Sequence, residues 1–181
     1  MLEEKALLQK LARGEADALD CIYNKYKDDL LTIAMSRLCD IHLAEDCLQD
    51  VFVRFAEEAG KFQIQHNLKG YLISSILNRA RNQLKKEGKT SSNAIEACDD
   101  IQTSDNPVNK MIENESKYKV FKVLAKLPDE QHEVVVMHLY GEMKFREIAK
   151  QLKLSINTVQ SRYRYGLEKL KTLLPIKEEE K

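Results

Sequence analysis

Apolar residues recur at helical spacing through most of this chain, and this periodicity limits its possible folds more than any other feature. The longest stripe places its members on one continuous helical face: Leu43, Cys47, Leu48, Val51, Phe52 and Phe55. The 181 residues include only 6 Gly, 3 Pro and no Trp, a composition that argues against a β-sandwich. The sequence therefore predicts an all-α fold.

Other stripes predict further helices on both sides of this one. Apolar positions recur over 18–26 and again over 30–38, and a helix is expected from about Leu68 to Lys86. Further along the chain, Pro128 should end a helix that carries Val120, Leu124 and Leu127, because proline interrupts the helical hydrogen-bond ladder. A helix from Glu130 to Tyr140 should follow and stop near Gly141.

Charge divides the chain into segments although its formal net charge is zero. Residues 69–89 carry six basic groups against one acidic group, and residues 144–171 carry eight against two. Between them, residues 90–116 carry six acidic groups against one basic group. This pattern predicts two small helical domains, 1–88 and 113–181, joined by a flexible acidic linker at 89–112. Any nucleic-acid site must then be a local patch.

No catalytic, metal or membrane motif stands out. There is no Ser/His/Asp set, Walker loop or pair of catalytic carboxylates, so we expect no enzymatic activity and no cofactor. The four cysteines lack regular spacing, and we interpret them as core or neutral positions, although Cys39, His42 and Cys47 resemble metal ligands. The amphipathic N-terminus is not a secretory signal, and no run reaches the length of a membrane span, so we expect a soluble, intracellular protein.

Near the C-terminus, residues 145–166 read FREIAKQLKLSINTVQSRYRYG, the pattern of two short helices at a tight turn. Ser155 is a good N-cap for the second helix, on which Ile156, Val159 and Tyr163 should point inward. Lys153 occupies the turn position that would favour glycine. The remaining polar side chains suit phosphates and base edges in a major groove: Asn157, Thr158, Gln160, Ser161, Arg162 and Arg164. The alternative is a solvated helical hairpin.

The helix around AEDCLQDVFVRFAEE, residues 44–58, has a charged face opposite its apolar stripe. Asp46, Gln49 and Asp50 stand at i, i+3 and i+4, so they cluster on one surface. This patch is suited to docking a basic protein surface. The alternative is an ordinary solvated helix face.

A third group of residues, between positions 63 and 86, combines amide side chains, an aromatic ring and a basic helix. Such a combination can hold unstacked bases above a phosphate-binding surface. The alternative is a basic helix end that complements its own dipole, with the tyrosine in the core. Its members are Gln63, Gln65, His66, Asn67, Tyr71, Asn78, Arg79, Arg81, Asn82, Lys85 and Lys86.

Together these segments resemble the extracytoplasmic-function (group 4) branch of bacterial sigma-70-type sigma factors. AEDCLQDVFVRF resembles the region 2.2 helix, YLISSILNRARNQLKKE resembles regions 2.3 to 2.4, and the stretch from LPDEQHEVVVMHLYG to the final LKTLL resembles region 4. The resemblance covers about residues 5–88 and 113–174, with the family's order and spacing. Two motif sets in this order are more specific than one helix-turn-helix.

The resemblance implies a role for each segment. It implies that Asp46, Gln49 and Asp50 contact the RNA polymerase clamp. The residues that would contact the −10 element are Gln63, Gln65, His66, Asn67, Tyr71, Asn78, Arg79, Asn82, Lys85 and Lys86. The residues that would face the −35 element are Ser155, Asn157, Thr158, Gln160, Ser161, Arg162 and Arg164.

The resemblance also implies partners and a location. The linker would run through core RNA polymerase between its clamp and flap contacts, and promoter DNA would be the second partner. An anti-sigma factor would hold the free form inactive. The free protein would be a cytoplasmic, bacterial monomer that inserts into no membrane and catalyses no reaction of its own.

Four positions depart from the family pattern. Tyr71 stands where the family usually has Trp, and Asn82 stands where Asp is frequent. Lys153 replaces the usual turn Gly, and Gln160 stands where Lys is common. Two other classes remain as alternatives: a helix-turn-helix regulator that binds duplex DNA without polymerase, and a pure protein-interaction module.

Overall fold

A computed structural model describes residues 2–58, 67–88, 120 and 122–174. All the regular secondary structure within these residues is helical, which confirms the predicted all-α fold. The helices described over their full length, numbered along the chain, are α1 (Leu2–Ala12), α2 (Ala16–Leu38), α3 (Ile41–Glu58), α4 (Leu68–Lys86), α5 (Asp129–Leu139), α6 (Phe145–Leu152) and α7 (Ile156–Leu173). Residues 122–125, just before Pro128, are also helical. We call α1–α4 the N-terminal bundle and α5–α7 the C-terminal bundle. The predicted linker, 89–112, lies outside the described residues.

The N-terminal bundle is built around α2, which packs against α1, α3 and α4. The two apolar stripes predicted at 18–26 and 30–38 belong to this single long helix. It ends at Cys39, whose backbone is left-handed with φ 51°. Ile22, Ile33 and Phe55 are among the fully buried side chains of this bundle, because the facing stripes of α2 and α3 exclude water from between them.

Helix α4 begins and ends where the sequence predicts. Asn67 is its N-cap, and the Asn67 side-chain oxygen accepts a hydrogen bond of 2.8 Å from the backbone amide of Gly70. Leu72, Ile73 and Ile76 are fully buried against the other helices of the bundle. The opposite face of α4 is therefore the side that carries its polar residues.

The C-terminal bundle begins after Pro128, which precedes α5 as its N-cap residue. Helices α6 and α7 form the predicted hairpin, and Lys153 in its turn is left-handed with φ 55°. Ser155 caps α7 by accepting a 3.0 Å hydrogen bond from the Thr158 amide, as predicted. Gly166 allows α7 to approach α5 closely, because a Cβ atom there would lie 2.7 Å from a methyl carbon of Val135.

Two expectations about side chains need correction. Ile156, predicted to point inward, has an exposed fraction of 39%, because it occupies the first turn of α7. Cys39 is buried in the core, as expected, but it is also disulfide-bonded, which the irregular cysteine spacing did not predict. Cys47 is buried and free, and burial raises the pKa of its thiol to about 11, so it stays protonated at neutral pH.

The two bundles pack against each other, an arrangement that the charge pattern did not predict. Helix α5 contacts α4 of the N-terminal bundle as well as α6 and α7 of its own. Its residues Val134–Met137 are completely buried in succession, which is expected only for a helix covered on all sides. Helix α5 therefore lies at the junction of the two bundles.

Candidate polymerase and nucleic-acid interfaces

The acidic face predicted on α3 lies on the surface. Asp46 and Gln49 are exposed, and Asp50 is partly exposed and ion-paired with Arg79 of α4. Val53 lies one helical turn beyond Gln49 with an exposed fraction of 56%, and it adds an apolar contact that the charge pattern missed. The combination of carboxylates, an amide and one exposed apolar side chain is typical of a protein-docking patch.

The residues predicted to hold a −10 base are only partly described. Gln63, Gln65 and His66 lie outside the described residues. Asn67 is described, and its side-chain amide donates a 2.6 Å hydrogen bond to the backbone oxygen of Gly141 in the C-terminal bundle. Tyr71 is partly buried with its ring centroid 6.1 Å from that of Phe55, and burial raises the pKa of its phenol.

The polar face of α4 contains exposed and paired residues. Four of the predicted −10 contacts are exposed: Asn78, Asn82, Lys85 and Lys86. Arg79 binds Asp50, and Arg81 binds Glu133 of α5. Both arginines of this helix are therefore already paired with carboxylates of other helices.

Helix α7 presents most of its predicted −35 residues to solvent. Ser155, Asn157, Gln160 and Arg164 are exposed, whereas Thr158 and Ser161 are partly buried. The Thr158 hydroxyl lies 2.8 Å from that of Ser155 at the helix N-terminus.

The two arginines of α7 differ in their surroundings. Arg162 is paired with Glu130 at 2.8 Å, and its side chain has an exposed fraction of 22%. The guanidinium carbon of Arg164 lies 5.1 Å from the centre of the exposed Tyr165 ring. The open N-terminal turn and these polar side chains together suit binding in a DNA groove.

A polar cluster joins the two bundles, and sequence analysis missed its members because they lie far apart in the chain. Arg37 of α2 donates a 2.6 Å hydrogen bond to Asp129, and Arg81 of α4 binds Glu133. The Ser36 hydroxyl lies 2.8 Å from Nε2 of His132. The α5 residues in these contacts stand at i, i+3 and i+4, so one face of α5 carries all of them.

Burial changes the acid–base behaviour of this cluster. Complete burial lowers the pKa of His132 well below its ordinary value, and the nearby charge of Arg37 lowers it further. Burial and the charge of Arg37 also lower the pKa of Arg81, while Asp129 opposes both shifts. Arg37 and Arg81 are therefore close enough to repel each other, and the carboxylates of α5 offset that repulsion.

A cavity of about 500 Å³ lies between the bundles, beside this cluster. Asn78, Arg81 and Lys85 of α4 line it together with Arg162 of α7. Residues predicted to contact two different DNA elements thus face one shared space. Asp129, Glu130 and Glu133 supply the negative charge among the cations of its walls.

Metal binding and membrane insertion find no support in the described parts of the chain. Within residues 2–58, 67–88 and 122–174, no group of three or more His, Cys, Asp or Glu side chains is placed to hold a metal ion. None of the helices described here is both long enough and apolar enough to cross a membrane.

Comparison with protein families identifies two matches in the chain. Residues 22–90 match the model for sigma-70 region 2, and residues 119–170 match the model for sigma-70 region 4. Together the two ranges cover more than half of the chain.

Relatives of known name match nearly end to end. The sigma factor SigW of Bacillus subtilis, an ECF RNA polymerase sigma factor, is 26% identical, with 94% of this chain and 96% of the relative covered. The RNA polymerase sigma-H factor of Pseudomonas aeruginosa is 21% identical, with 88% of each chain covered.

Solved structures share the fold. CnrH, solved in complex with the cytosolic domain of CnrY, aligns with a TM-score of 0.65 at 20% identity, covering 94% of this chain and 96% of CnrH. The sigma factor RpoE of Bartonella quintana, solved with the anti-sigma factor NepR, aligns with a TM-score of 0.61 at 19% identity. This second alignment covers 87% of this chain and 97% of RpoE.

Proposed function

The chain belongs to the extracytoplasmic-function branch of the sigma-70 family, and from this premise we propose that it directs core RNA polymerase to specific promoters. It promotes transcription initiation by reading a −10 element with the N-terminal bundle and a −35 element with α7. The observation that carries the proposal is the presence, in the family's order, of an exposed acidic face on α3, a basic polar face on α4 and a capped α7 with exposed polar side chains.

We assign polymerase binding to the exposed patch on α3. Asp46 and Gln49 are accessible to a basic partner surface, and Val53 supplies an apolar contact beside them. Asp50 lies at the border of this patch and also holds Arg79 of α4. Polymerase binding and the position of a −10 residue are therefore coupled through one ion pair.

We assign the DNA contacts to α4 and α7. Asn78, Asn82, Lys85 and Lys86 lie on the accessible face of α4, where a single strand can reach amides and cations together. On α7, the exposed polar side chains beside the N-terminal turn suit base edges and phosphates of a duplex. Capture of exposed −10 bases by α4 would favour separation of the strands.

The remaining parts of the proposal concern organisation and partners. Residues 1–88 form the region 2 domain, 89–112 the linker and 113–181 the region 4 domain. The protein acts in the bacterial cytoplasm, where polymerase is found, and it catalyses no reaction because polymerase supplies the chemistry. An anti-sigma factor is the expected inhibitory partner. Of the two similar structures described above, RpoE was solved with the anti-sigma factor NepR and CnrH with the cytosolic domain of CnrY.

The direct test is reconstitution with core polymerase and genomic DNA fragments. We expect promoter-specific transcripts that require the purified protein. Tight sequence-specific DNA binding by the protein alone, without initiation, would instead support a helix-turn-helix regulator. Failure to bind DNA even with polymerase would support a protein-interaction module.

A second test addresses the docking patch. Gln49→Arg should abolish binding to core polymerase because it places a cation in a patch that faces a basic surface. This variant is preferable to Asp50→Arg, which also breaks the pair with Arg79. Asn24→Arg on the exposed surface of α2 makes the same change of charge, so it is the matched control and should bind normally. Pull-down with core polymerase measures both variants, and normal binding of Gln49→Arg would remove this residue from the interface.

A further inference from the structure

Arg79 stands among the polar residues of α4, but its side chain is turned towards α3. Asn78 and Asn82, before and after it on α4, are exposed, whereas the Arg79 side chain has an exposed fraction of only 31%. Its Nη2 atom binds the carboxylate of Asp50 on α3. The family resemblance implies a contact of Arg79 with the −10 element, but in this structure its guanidinium is directed at a neighbouring helix.

The guanidinium of Arg79 lies close to the buried side of α3. Burial raises the pKa of the Cys47 thiol on α3 to about 11, and the positive charge of Arg79 opposes that shift. Nε of Arg79 is itself buried, and it has no hydrogen-bond partner among the described residues. An arginine in this position depends on its carboxylate partner Asp50, because a covered charge that loses its partner is destabilising.

Helices α3 and α4 are joined at two levels. At one level the ring centroid of Phe55 lies 6.1 Å from that of Tyr71, and at the other Asp50 binds Arg79. Tyr71 and Arg79 are eight positions apart, which corresponds to about 12 Å along α4. Their partners occur in the reverse order along α3, so the two helices run antiparallel. An aromatic contact and an ion pair at different levels together fix how far α4 can rotate or slide against α3.

We propose that Arg79 is a positioning residue that, through Asp50, fixes the exposed polar side chains of α4 relative to the polymerase-docking patch of α3, without contacting DNA itself. This inference rests on the proposed function, because it takes α3 to bind polymerase and α4 to bind the −10 element. Gln49 directly precedes Asp50, and Asn78 directly precedes Arg79. The ion pair therefore stands between a group assigned to polymerase and a group assigned to DNA.

Fixed placement of α4 favours capture of a single strand. When polymerase holds α3, the ion pair determines where the amides of Asn78 and Asn82 lie. A strand that meets these amides already in place binds more tightly, because less conformational freedom is lost on binding. Lys85 and Lys86 are exposed on the same helix and supply cations for phosphates. Binding of DNA by α4 therefore does not require Arg79 to leave Asp50.

The test distinguishes positioning from direct contact in the complex of the full-length protein with core polymerase. The probe is a fluorescein-labelled single strand of about 20 nucleotides, taken from just upstream of a transcription start found in the reconstitution. Its anisotropy is measured at several salt concentrations, because each phosphate contact adds about 0.7 to the steepness with which log affinity falls against log salt concentration. Lys86→Met is the positive control and should reduce that steepness by about 0.7.

Arg79→Met removes the charge and keeps most of the length of the side chain. It should lower affinity for the strand about fivefold and leave the salt dependence unchanged. Asp50→Asn alters only α3 but should cause the same loss, and the double variant should lose no more than either single variant. Asp50→Glu keeps the carboxylate and should stay within about twofold of the wild type. Asp20→Asn on the exposed surface of α2 is the matched control and should change nothing.

Two checks accompany these measurements. Pull-down with core polymerase establishes the concentration at which each variant saturates polymerase, so that strand affinity is compared between complete complexes. Circular dichroism establishes that each variant remains helical.

The two roles of Arg79 differ in the sign of one effect and in the salt dependence. If Arg79 contacted a phosphate, Arg79→Met would reduce the steepness as Lys86→Met does, and Asp50→Asn would free the guanidinium and raise affinity or leave it unchanged. Either result overturns the proposal. Wild-type affinity in both variants would also overturn it, because the ion pair would then contribute to stability alone.

A second measurement depends on neither polymerase nor DNA. Denaturant titration of the wild type, the two single variants and the double variant gives the coupling between Asp50 and Arg79. The double variant should lose less stability than the sum of the two single losses. Additive losses would show that this pair does not hold α3 and α4 together, which overturns the proposal. Failure of the wild-type protein to support initiation while the coupling is intact would instead contradict the proposed function.

Discussion

Helices α4 and α7 are both basic, and both are assigned to promoter DNA, but the structure holds them in different states. The arginines of α4 are paired with carboxylates of α3 and α5, and Asn67 at its N-terminus is bonded to the C-terminal bundle. Helix α7 presents Asn157, Gln160 and Arg164 to solvent. The comparison shows that the polar side chains of α7 are open to solvent, whereas part of the polar face of α4 is already bonded to other helices.

The largest predicted effect is a loss of stability when the packing between α3 and α4 is removed. Phe55 is completely buried, and its ring lies near those of Phe52 and Tyr71. Phe55→Ala should lower the free energy of unfolding by about 3–5 kcal/mol, because it removes buried area and leaves a cavity. Val53→Ala on the same helix is the control and should change it by about 0.5 kcal/mol or less, since Val53 is exposed. Denaturant titration measures both values, and equal losses would contradict the described core.

A smaller effect, on promoter binding, should come from Arg162 of α7, which is ion-paired with Glu130. Arg162→Ala should weaken −35-dependent promoter binding by about 1–3 kcal/mol if the side chain contacts a base edge. Glu130→Gln, which removes the partner of Arg162, should strengthen binding instead. Binding of the polymerase complex to promoters with and without an intact −35 element measures the difference. Unchanged promoter selectivity in Arg162→Ala would mean that α7 reads DNA without this residue.

Acid should weaken the contact between the two bundles through His132, which lies against Ser36 of α2. Ser36 uses its only hydroxyl proton to donate to the backbone oxygen of Ile33, so Nε2 of His132 must donate to the Ser36 oxygen. Nδ1 then carries no proton, and it has no hydrogen-bond partner among the described residues. Protonation there would place a positive charge in a buried site that faces Arg37, with only Asp129 to oppose it.

The sign of the pH dependence follows from the lowered pKa of His132. The contribution of neutral His132 to the stability of the packed structure is fully present above the ordinary histidine pKa of about 6.5, and it is lost as pH falls towards the lowered value. The expected loss is about 1.4 kcal/mol for each pH unit in that interval. Denaturant titration from pH 8 to about pH 5, above the usual range of carboxylates, measures this loss in the free energy of unfolding. His132→Gln should remove the dependence, and an unchanged pH profile in this variant would exclude His132 as its cause.

The smallest predicted effect is a change in stability at the turn between α6 and α7. Lys153 has a left-handed backbone, which costs a residue with a Cβ atom about 1 kcal/mol. Lys153→Gly should therefore raise the free energy of unfolding by up to about 1 kcal/mol, partly offset by the greater freedom of glycine in the unfolded chain. Lys150→Gly, in the last turn of α6, is the control of opposite sign and should lower the free energy of unfolding by up to about 1 kcal/mol, because glycine is a poor helix former. A loss of stability in Lys153→Gly would show that the lysine side chain has a role in the turn.

Sequence analysis located most helices and the surfaces of the candidate sites because these depend on local order. The bounds of α4, the Ser155 cap and the exposed face of α3 all follow from residues a few positions apart. The inward assignment of Ile156 was wrong, since a first-turn position has fewer neighbours than its periodicity indicates. Asp50 and Arg79 were assigned to separate sites, and only the packing of α3 against α4 showed that they bind each other.

The sequence by itself determined the helical class, the order of the motifs and the family, because helix periodicity, caps and motif spacing are short-range properties. Only the tertiary structure decided which charges meet. Ser36 and His132, or Arg37 and Asp129, are more than 90 positions apart, and no periodicity relates them. Their contact depends on how the two bundles pack against each other, and the same packing buries α5 on all sides. Which polar groups of α4 remain open to solvent is therefore a property of packing.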